Sequence, residues 1–263
     1  MWPLLAILFG VALAACSVGF KKYVWFLSVG YGFAIAALGV ALMIMFASEL
    51  SLVTVLLCIV FILYGARLSG FLLYREIKSG SYKKNMEGEY AKKLPIFVMI
   101  TMWIAVGALY VLQVSPAFSR LYNKSSDLVL PLVGVCVSLV GVVIEMLADL
   151  QKNAQKKAAP DKPATKGLYR MVRCPNYFGE IVMWTGVFIG GLSTYTGFFQ
   201  WFAAIFSFVA IVYIMLDGAK RLEGRQMKRY GNDESYREYV RKTPVILPLI
   251  PLYRLTKDTE DKK

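Results

Sequence analysis

The stretch GLYRMVRCPNYFGE, Gly167 to Glu180, sets two arginines, two tyrosines, an asparagine and a glutamate between apolar runs near 128–149 and 177–196. Polar side chains are costly where a chain re-enters an apolar phase, unless they find partners there or serve a site. The rest of the sequence says which phase this is. Of 263 residues, 57% are hydrophobic and 18% charged, more apolar surface than a soluble domain of this size needs. Runs of about 20 apolar residues span the hydrocarbon core of a bilayer. Such runs recur near 2–19, 23–47, 51–74, 95–114, 128–149, 177–196 and 198–217. The expectation is an all-α integral membrane protein with seven transmembrane helices. Neither an internal repeat nor a Gly/Ser linker divides the chain, so residues 1–263 are expected to form a single membrane domain.

Charge gives the orientation. Of 30 Lys and Arg, two follow the first span, six lie in 75–94, seven in 151–176 and twelve after 217. The alternate segments hold only Arg120 and Lys124, and Arg67 falls inside a span. Basic residues collect on the cytoplasmic side of membrane proteins. The pattern therefore predicts an N-terminus outside and a basic cytoplasmic tail over 218–263. The net charge of +13 then reports topology and interaction with membrane lipids, and no nucleic-acid partner is expected.

Leu13-Ala14-Ala15-Cys16 resembles a lipoprotein processing site. No basic residue precedes that apolar stretch and Lys21-Lys22 follow it, so the first helix is expected to be retained. The four cysteines show no CxxC spacing and read as packing thiols. The chain has no histidine, which excludes Ser-His-Asp and Cys-His nucleophile systems, histidine zinc sites and histidine haem ligation. Neither GxGxxG nor GxxxxGK[ST] occurs, so no Rossmann or P-loop site is indicated. A general acid must come from Tyr, Asp, Glu, Lys or Cys.

Three polar clusters fall on the basic side. Glu145, Asp149, Lys152 and Lys156 are spaced four, three and four apart, one face of a helix. Ion pairs of Asp149 with Lys152 and Lys156 are the plainer alternative to a site. Pro175 suits the first turn of a helix, which sets Asn176 and Glu180 on one face at its start. Arg170 and Arg173 stand just before it and suit phosphate by fork geometry and dipole; simple membrane anchoring explains the arginines too. The tail carries Asp217, Lys220, Arg221, Glu223 and Arg225, then Tyr236, Tyr239 and Arg241. Alone, it reads as a solvated or lipid-surface helix. Three such clusters on one side favour one shared site.

Glu145-x-x-x-Asp149-x-Gln-Lys152, Gly167-Leu-Tyr-Arg170, Arg173-x-Pro-Asn176-Tyr-Phe-Gly-Glu180 and the tail's Tyr236-x-x-Tyr239-x-x-x-Thr243 together resemble the steroid 5α-reductase family, most closely its bacterial branch. The resemblance covers roughly 140 to 250 and touches Tyr64-Gly-Ala-Arg67 in the third span. A related pattern occurs in isoprenylcysteine carboxyl methyltransferases and sterol-ring reductases. The resemblance implies seven helices in the bacterial inner membrane, holding NADPH in a cavity open to the cytoplasm. It also implies hydride transfer to the C=C bond of a lipid-like enone, such as a Δ4-3-oxosteroid. By position it assigns the cofactor to Asp149, Lys156, Asn176, Glu180, Arg221 and Arg225, with Arg67, Tyr169, Arg170, Arg173 and Tyr236 beside them. Tyr64 matches the tyrosine that hydrogen-bonds the substrate ketone. Steroid-reducing members pair that tyrosine with a glutamate early in the second helix. Residues 23–47 contain no acid here, only Ser28 and Tyr31 as polar candidates, so Tyr31 joins Tyr64 as a candidate catalytic residue. Basic residues around the cofactor (Arg170, Arg173, Arg221, Arg225 and Lys78) predict NADPH over NADH. The alternatives are an S-adenosylmethionine-dependent membrane methyltransferase and a non-enzymatic polytopic protein or transporter.

Overall fold

The computed structural model describes residues 1–78, 94–248 and 250–255. Lys83, Lys84, Lys92 and Lys93 of the 75–94 segment, and the basic residues beyond 255, lie outside the described residues. Among the described residues the protein is entirely helical, without a strand. The helices are α1 (Trp2–Cys16), α2 (Val29–Met45), α3 (Leu52–Lys78), α4 (Ile96–Gln113), α5 (Ser115–Tyr122), α6 (Val129–Ala158), α7 (Pro175–Gly191), α8 (Phe198–Tyr230) and α9 (Glu234–Lys242).

Among the described residues, five stretches are long and apolar enough to cross a bilayer: Trp2–Phe20, Leu52–Lys78, Ile96–Gln113, Val129–Ala158 and Phe198–Tyr230. Their outward faces keep side chains that water would not tolerate, including Leu52, Val129 and Phe198, each more than two-thirds exposed. Such a surface calls for lipid, and the chain is an integral membrane protein.

Two of the expected spans are shorter than the sequence suggests. The apolar run 23–47 opens with a 3₁₀ turn (Tyr23–Leu27) and breaks at Ser28 before α2 begins. Helix α2 has 17 residues, about 26 Å at 1.5 Å per residue. Helix α7 also has 17 residues and stops at Gly191. Conversely, α6 and α8 continue well past their apolar runs, to 30 and 33 residues. Lys152, Lys156, Arg221 and Arg225 therefore ride on the polar ends of long continuous helices, in keeping with the helical spacing of Glu145 to Lys156.

The described residues group into two compact units, one within 1–135 and 187–207, the other within 136–186 and 208–255. In the first, α2 and α3 pack at backbone distance. A Cβ built on Gly65 would lie 2.2 Å from the Gly32 carbonyl oxygen, so only glycine permits this approach. Ser69 Oγ donates to the Val29 carbonyl at 2.7 Å, and Trp103 Nε1 donates to Leu13 O at 2.8 Å, tying α4 to α1.

The first unit also contains a polar clasp. Arg120 of the short helix α5, whose side chain is fully buried, donates through Nη1 to Asp127 Oδ1 at 2.8 Å. Ser193 Oγ donates to the other Asp127 oxygen at 2.7 Å. Asn123 and Gln200 exchange amide hydrogen bonds of 2.9 and 3.2 Å. Lys124 lies 3.2 Å from Glu49. Both basic residues of this segment are thus neutralised by carboxylates, which sharpens the charge asymmetry read from sequence.

Burial opposes ionisation of Asp127, but the Ser193 and Arg120 hydrogen bonds outweigh it and hold the carboxyl below its usual range. A carboxyl depressed by folding contributes stability above its unfolded pKa, near 4, and loses it as pH falls through the folded value. Asp127→Asn is expected to lower the Tm at pH 7 and to flatten the decline below about pH 4. A variant with the same acid-side slope as the parent would remove the clasp from the account.

Candidate functional site

In the second unit, α6 and α7 touch backbone to backbone. A Cβ on Gly141 would lie 2.3 Å from Met183 N and 2.6 Å from Gly179 O; one on Gly179 would meet Glu145 Cγ at 2.8 Å. The glycine inside Pro-Asn-Tyr-Phe-Gly-Glu is therefore a packing requirement, and it lays the stem of Glu145 along the motif. Ser138 Oγ donates to Met183 O at 2.9 Å on the same interface. Glu145 and Glu180 are both buried, 2% and 7% exposed, while Asn176 and Asp149 are half-buried. On the other side of α7, the Tyr177 ring lies 3.3–3.5 Å from where a Gly218 Cβ would stand. That contact brings the turn of α8 carrying Asp217 and Arg221 to the first turn of α7. Three polar clusters far apart in sequence so meet in one unit.

The chain between α6 and α7 is held by two glutamines, Gln151 of the Asp149-x-Gln-Lys152 motif and Gln155, which the sequence reading did not single out. Gln151 Oε1 accepts from Leu168 N at 2.8 Å. Gln155 Oε1 accepts from Thr165 N and Lys166 N at 3.0 and 2.9 Å. Gly167 turns with φ +68° against the Gln151 side chain, a backbone conformation suited to glycine. Tyr169 follows, buried, its hydroxyl donating to Ala148 O at 3.3 Å and its carbonyl accepting from Tyr239 OH at 2.6 Å. Burial pushes the Tyr169 phenol well above its ordinary range. Tyr236 is buried too, donating to Gln226 Oε1 at 3.2 Å, and burial pushes its phenol up to about 12. Both tyrosines are neutral donors or packing groups at physiological pH.

The cations divide into two kinds. Arg170, Arg221 and Arg225 are exposed. Arg221 pairs with Asp217, at 3.2 Å on the surface, an interaction weak enough to yield to an incoming anion. Lys156 and Arg173, by contrast, are committed within the protein. The ammonium of Lys156 donates to Tyr230 OH and Lys162 O, both at 2.6 Å, and to Pro160 O at 3.2 Å. Those three contacts match its three N–H donors. They leave Lys156 outside the alternative pairing with Asp149: its ammonium turns to carbonyls and a phenol. Arg173 is buried and bridged to Glu223 at 2.8 Å, with both side chains at most 3% exposed. Sequence alone did not reveal this partner, fifty positions away.

The first unit holds the other candidates. Tyr31 and Tyr64 stand edge to face with ring centroids 5.9 Å apart, and Tyr31 stacks on Tyr110 at 5.0 Å. All three are buried. Tyr110, which the sequence reading did not single out, donates to Phe26 O at 2.5 Å and fixes the cluster. Ser28 Oγ donates to Val24 O at 2.9 Å, a local bond back onto the 3₁₀ turn before α2. Arg67 is half-buried one turn beyond Tyr64. At the end of α3, Glu76 accepts from Lys22 and, at 3.1 Å, from Trp25 Nε1, while Lys78 is exposed.

Among the described residues no group of three or more His, Cys, Asp or Glu has the arrangement of a metal site. The family model described as "protein of unknown function (DUF1295)" matches residues 15–243, and the chain belongs to that family. Comparison with curated proteins and with solved structures found no match.

Proposed function

We propose that this protein is an NADPH-dependent membrane reductase of a lipid-like enone, of the steroid 5α-reductase type, with seven spans, an outer N-terminus and a cofactor site open to the cytoplasm. The observation that carries the reading is the meeting of buried Glu145 and Glu180, half-buried Asn176 and Asp149, and exposed Arg170, Arg221 and Arg225 within one compact unit. The donor set fits a nicotinamide dinucleotide. Arginines suit the phosphates, carboxylates accept from ribose hydroxyls, and a carboxamide side chain pairs with the nicotinamide carboxamide. The nucleotide, when bound, supplies the hydride. The chain's own part is to orient it and exclude water, and to place the Tyr64 phenol where it donates to the ketone oxygen as charge develops there.

Thermal titration of the detergent-purified chain with NADPH, NADH and S-adenosylmethionine tests this. A ligand of the folded state raises the Tm by mass action. NADPH is expected to give the largest shift, NADH a smaller one because it lacks the phosphate for Arg170, Arg221 and Arg225, and S-adenosylmethionine none. A shift with S-adenosylmethionine alone would move the protein to the methyltransferases. Equal shifts from NADPH and NADH would remove the arginines from 2′-phosphate recognition.

A further inference from the structure

Arg173 ends a short polar turn two residues before Pro175 opens α7, and its contacts form a closed set. Its Nε donates to Thr243 O at 3.1 Å, and Nη2 donates to Glu223 Oε1 at 2.8 Å and to Tyr253 O. Three of the five guanidinium N–H donors are thereby used. Its backbone N–H donates to Pro244 O, and the next one, from Cys174, donates to Val245 O, both at 2.9 Å. The second Glu223 oxygen accepts from Leu255 N at 2.8 Å, and Val245 N donates to Leu252 O at 2.8 Å. The segment after α9 thus doubles back as a strap, and both of its arms are pinned to one buried ion pair.

We propose that Arg173 and Glu223 are positioning residues: their buried pair anchors the C-terminal strap to the chain entering α7, and so fixes where Asn176 and Glu180 point. This rests on the reductase reading for its functional consequence, though not for its geometry. A phosphate has little to gain at Arg173. The guanidinium is almost entirely buried, already neutralised by Glu223, and forked onto carbonyls. Bringing a phosphate there would set a second negative group against the carboxylate in a poorly solvated place. Breaking the pair by removing either partner leaves a buried charge uncompensated, so both ends of the strap should loosen together. The two backbone bonds from Arg173 and Cys174 would loosen with them, and these are the bonds that hold the approach to Asn176.

The test uses the full chain in detergent and two readouts. One is the affinity for NADPH and for NADH, followed by quenching of tryptophan fluorescence. The other is maleimide labelling of Cys174, read by mass spectrometry without any cofactor. Cys174 lies under the strap, 2% exposed, and burial pushes its thiol up to about 12, so it resists labelling at pH 8 while the strap is closed. Glu223→Gln and Arg173→Lys are expected to weaken both nucleotides by the same factor, about tenfold, as loss of a hydrogen bond between charged groups would. The NADPH-to-NADH ratio should stay at its parental value, and Cys174 should label faster. Leu255→Pro removes the N–H that Glu223 Oε2 accepts and restrains the backbone at 254–255 while leaving both charged side chains in place, and should give the same pattern at smaller amplitude even if the other variants fold poorly. Loss of NADPH affinity in Arg173→Lys with NADH unchanged would make Arg173 a phosphate ligand and overturn the proposal. Parental affinities and parental Cys174 protection in Glu223→Gln would overturn it as well. If the parent binds neither nucleotide, the reductase reading fails, while the labelling experiment still decides whether the pair anchors the strap.

Discussion

Tyr64→Phe is expected to slow the chemical step about a hundredfold while leaving NADPH affinity unchanged. The substitution deletes one oxygen and keeps the ring, so the edge-to-face contact with Tyr31 at 5.9 Å survives and the fold is undisturbed. Tyr64 is fully buried, in surroundings where a hydrogen bond to developing negative charge is worth more than in water. Loss of one such donor costs about 3 kcal/mol in comparable sites, which corresponds to roughly a hundredfold in rate. Single-turnover oxidation of NADPH with a Δ4-3-oxosteroid as surrogate enone measures it directly. The same assay on Tyr31→Phe separates the two candidates, since their rings touch and either phenol is a conceivable donor. A parental rate in Tyr64→Phe with a slow Tyr31→Phe would reassign the role to Tyr31. Tyr110→Phe serves as the structural comparison: it breaks the 2.5 Å bond to Phe26 O and should lower the Tm more than either.

Much of this arrangement is legible in the sequence, for reasons that also mark where reading stops. Apolar length locates α1, α3, α4, α6 and α8, because a bilayer leaves a chain few alternatives to helices. Pro175 marks the first residue of α7, since a proline without an N–H is at home in a first turn. Hydropathy cannot see Ser28 splitting the second apolar run, because the break is a backbone event inside residues that all favour lipid. Hydropathy also stops short of the ends of α6 and α8, although the four, three and four spacing of Glu145 to Lys156 carries α6 past its apolar run. The partner of Arg173 is hidden from the sequence for a different reason. Its position beside a helix start argues for an anion, yet its ion-pair partner is Glu223, on another helix and brought there by tertiary packing. Lys156 repeats the lesson with Tyr230. Glycines are the clearest case of information present but unread: Gly141 and Gly179 stand as ordinary letters in apolar helices until the two backbones are seen to touch.

That contact supports the second large effect. Gly141→Ala adds a single methyl group, and in the interior of most helices the change is favourable by up to about 1 kcal/mol. Here the new Cβ would meet Met183 N at 2.3 Å and Gly179 O at 2.6 Å. Both are backbone atoms of α7, so no rotamer change relieves the clash, and the helices must part along the face that carries Glu145, Asn176 and Glu180. Overpacking of this kind typically costs about 1–3 kcal/mol. The expected result is a Tm lowered by several degrees together with at least a tenfold loss of NADPH affinity, followed by thermal unfolding and fluorescence titration in detergent. Gly224→Ala is the matched control. It lies in α8 between Glu223 and Arg225, and nothing stands within 4 Å of the added Cβ, so helix propensity should raise the Tm slightly and leave the cofactor bound. The same methyl group then stabilises at one site and destabilises at the other, which propensity alone cannot produce. If Gly141→Ala instead behaves like Gly224→Ala, the close approach of α6 and α7 is absent in the membrane-extracted protein. The convergence of Glu145 with the Pro-Asn-Tyr-Phe-Gly-Glu motif, on which the proposed cofactor site depends, would fall with it.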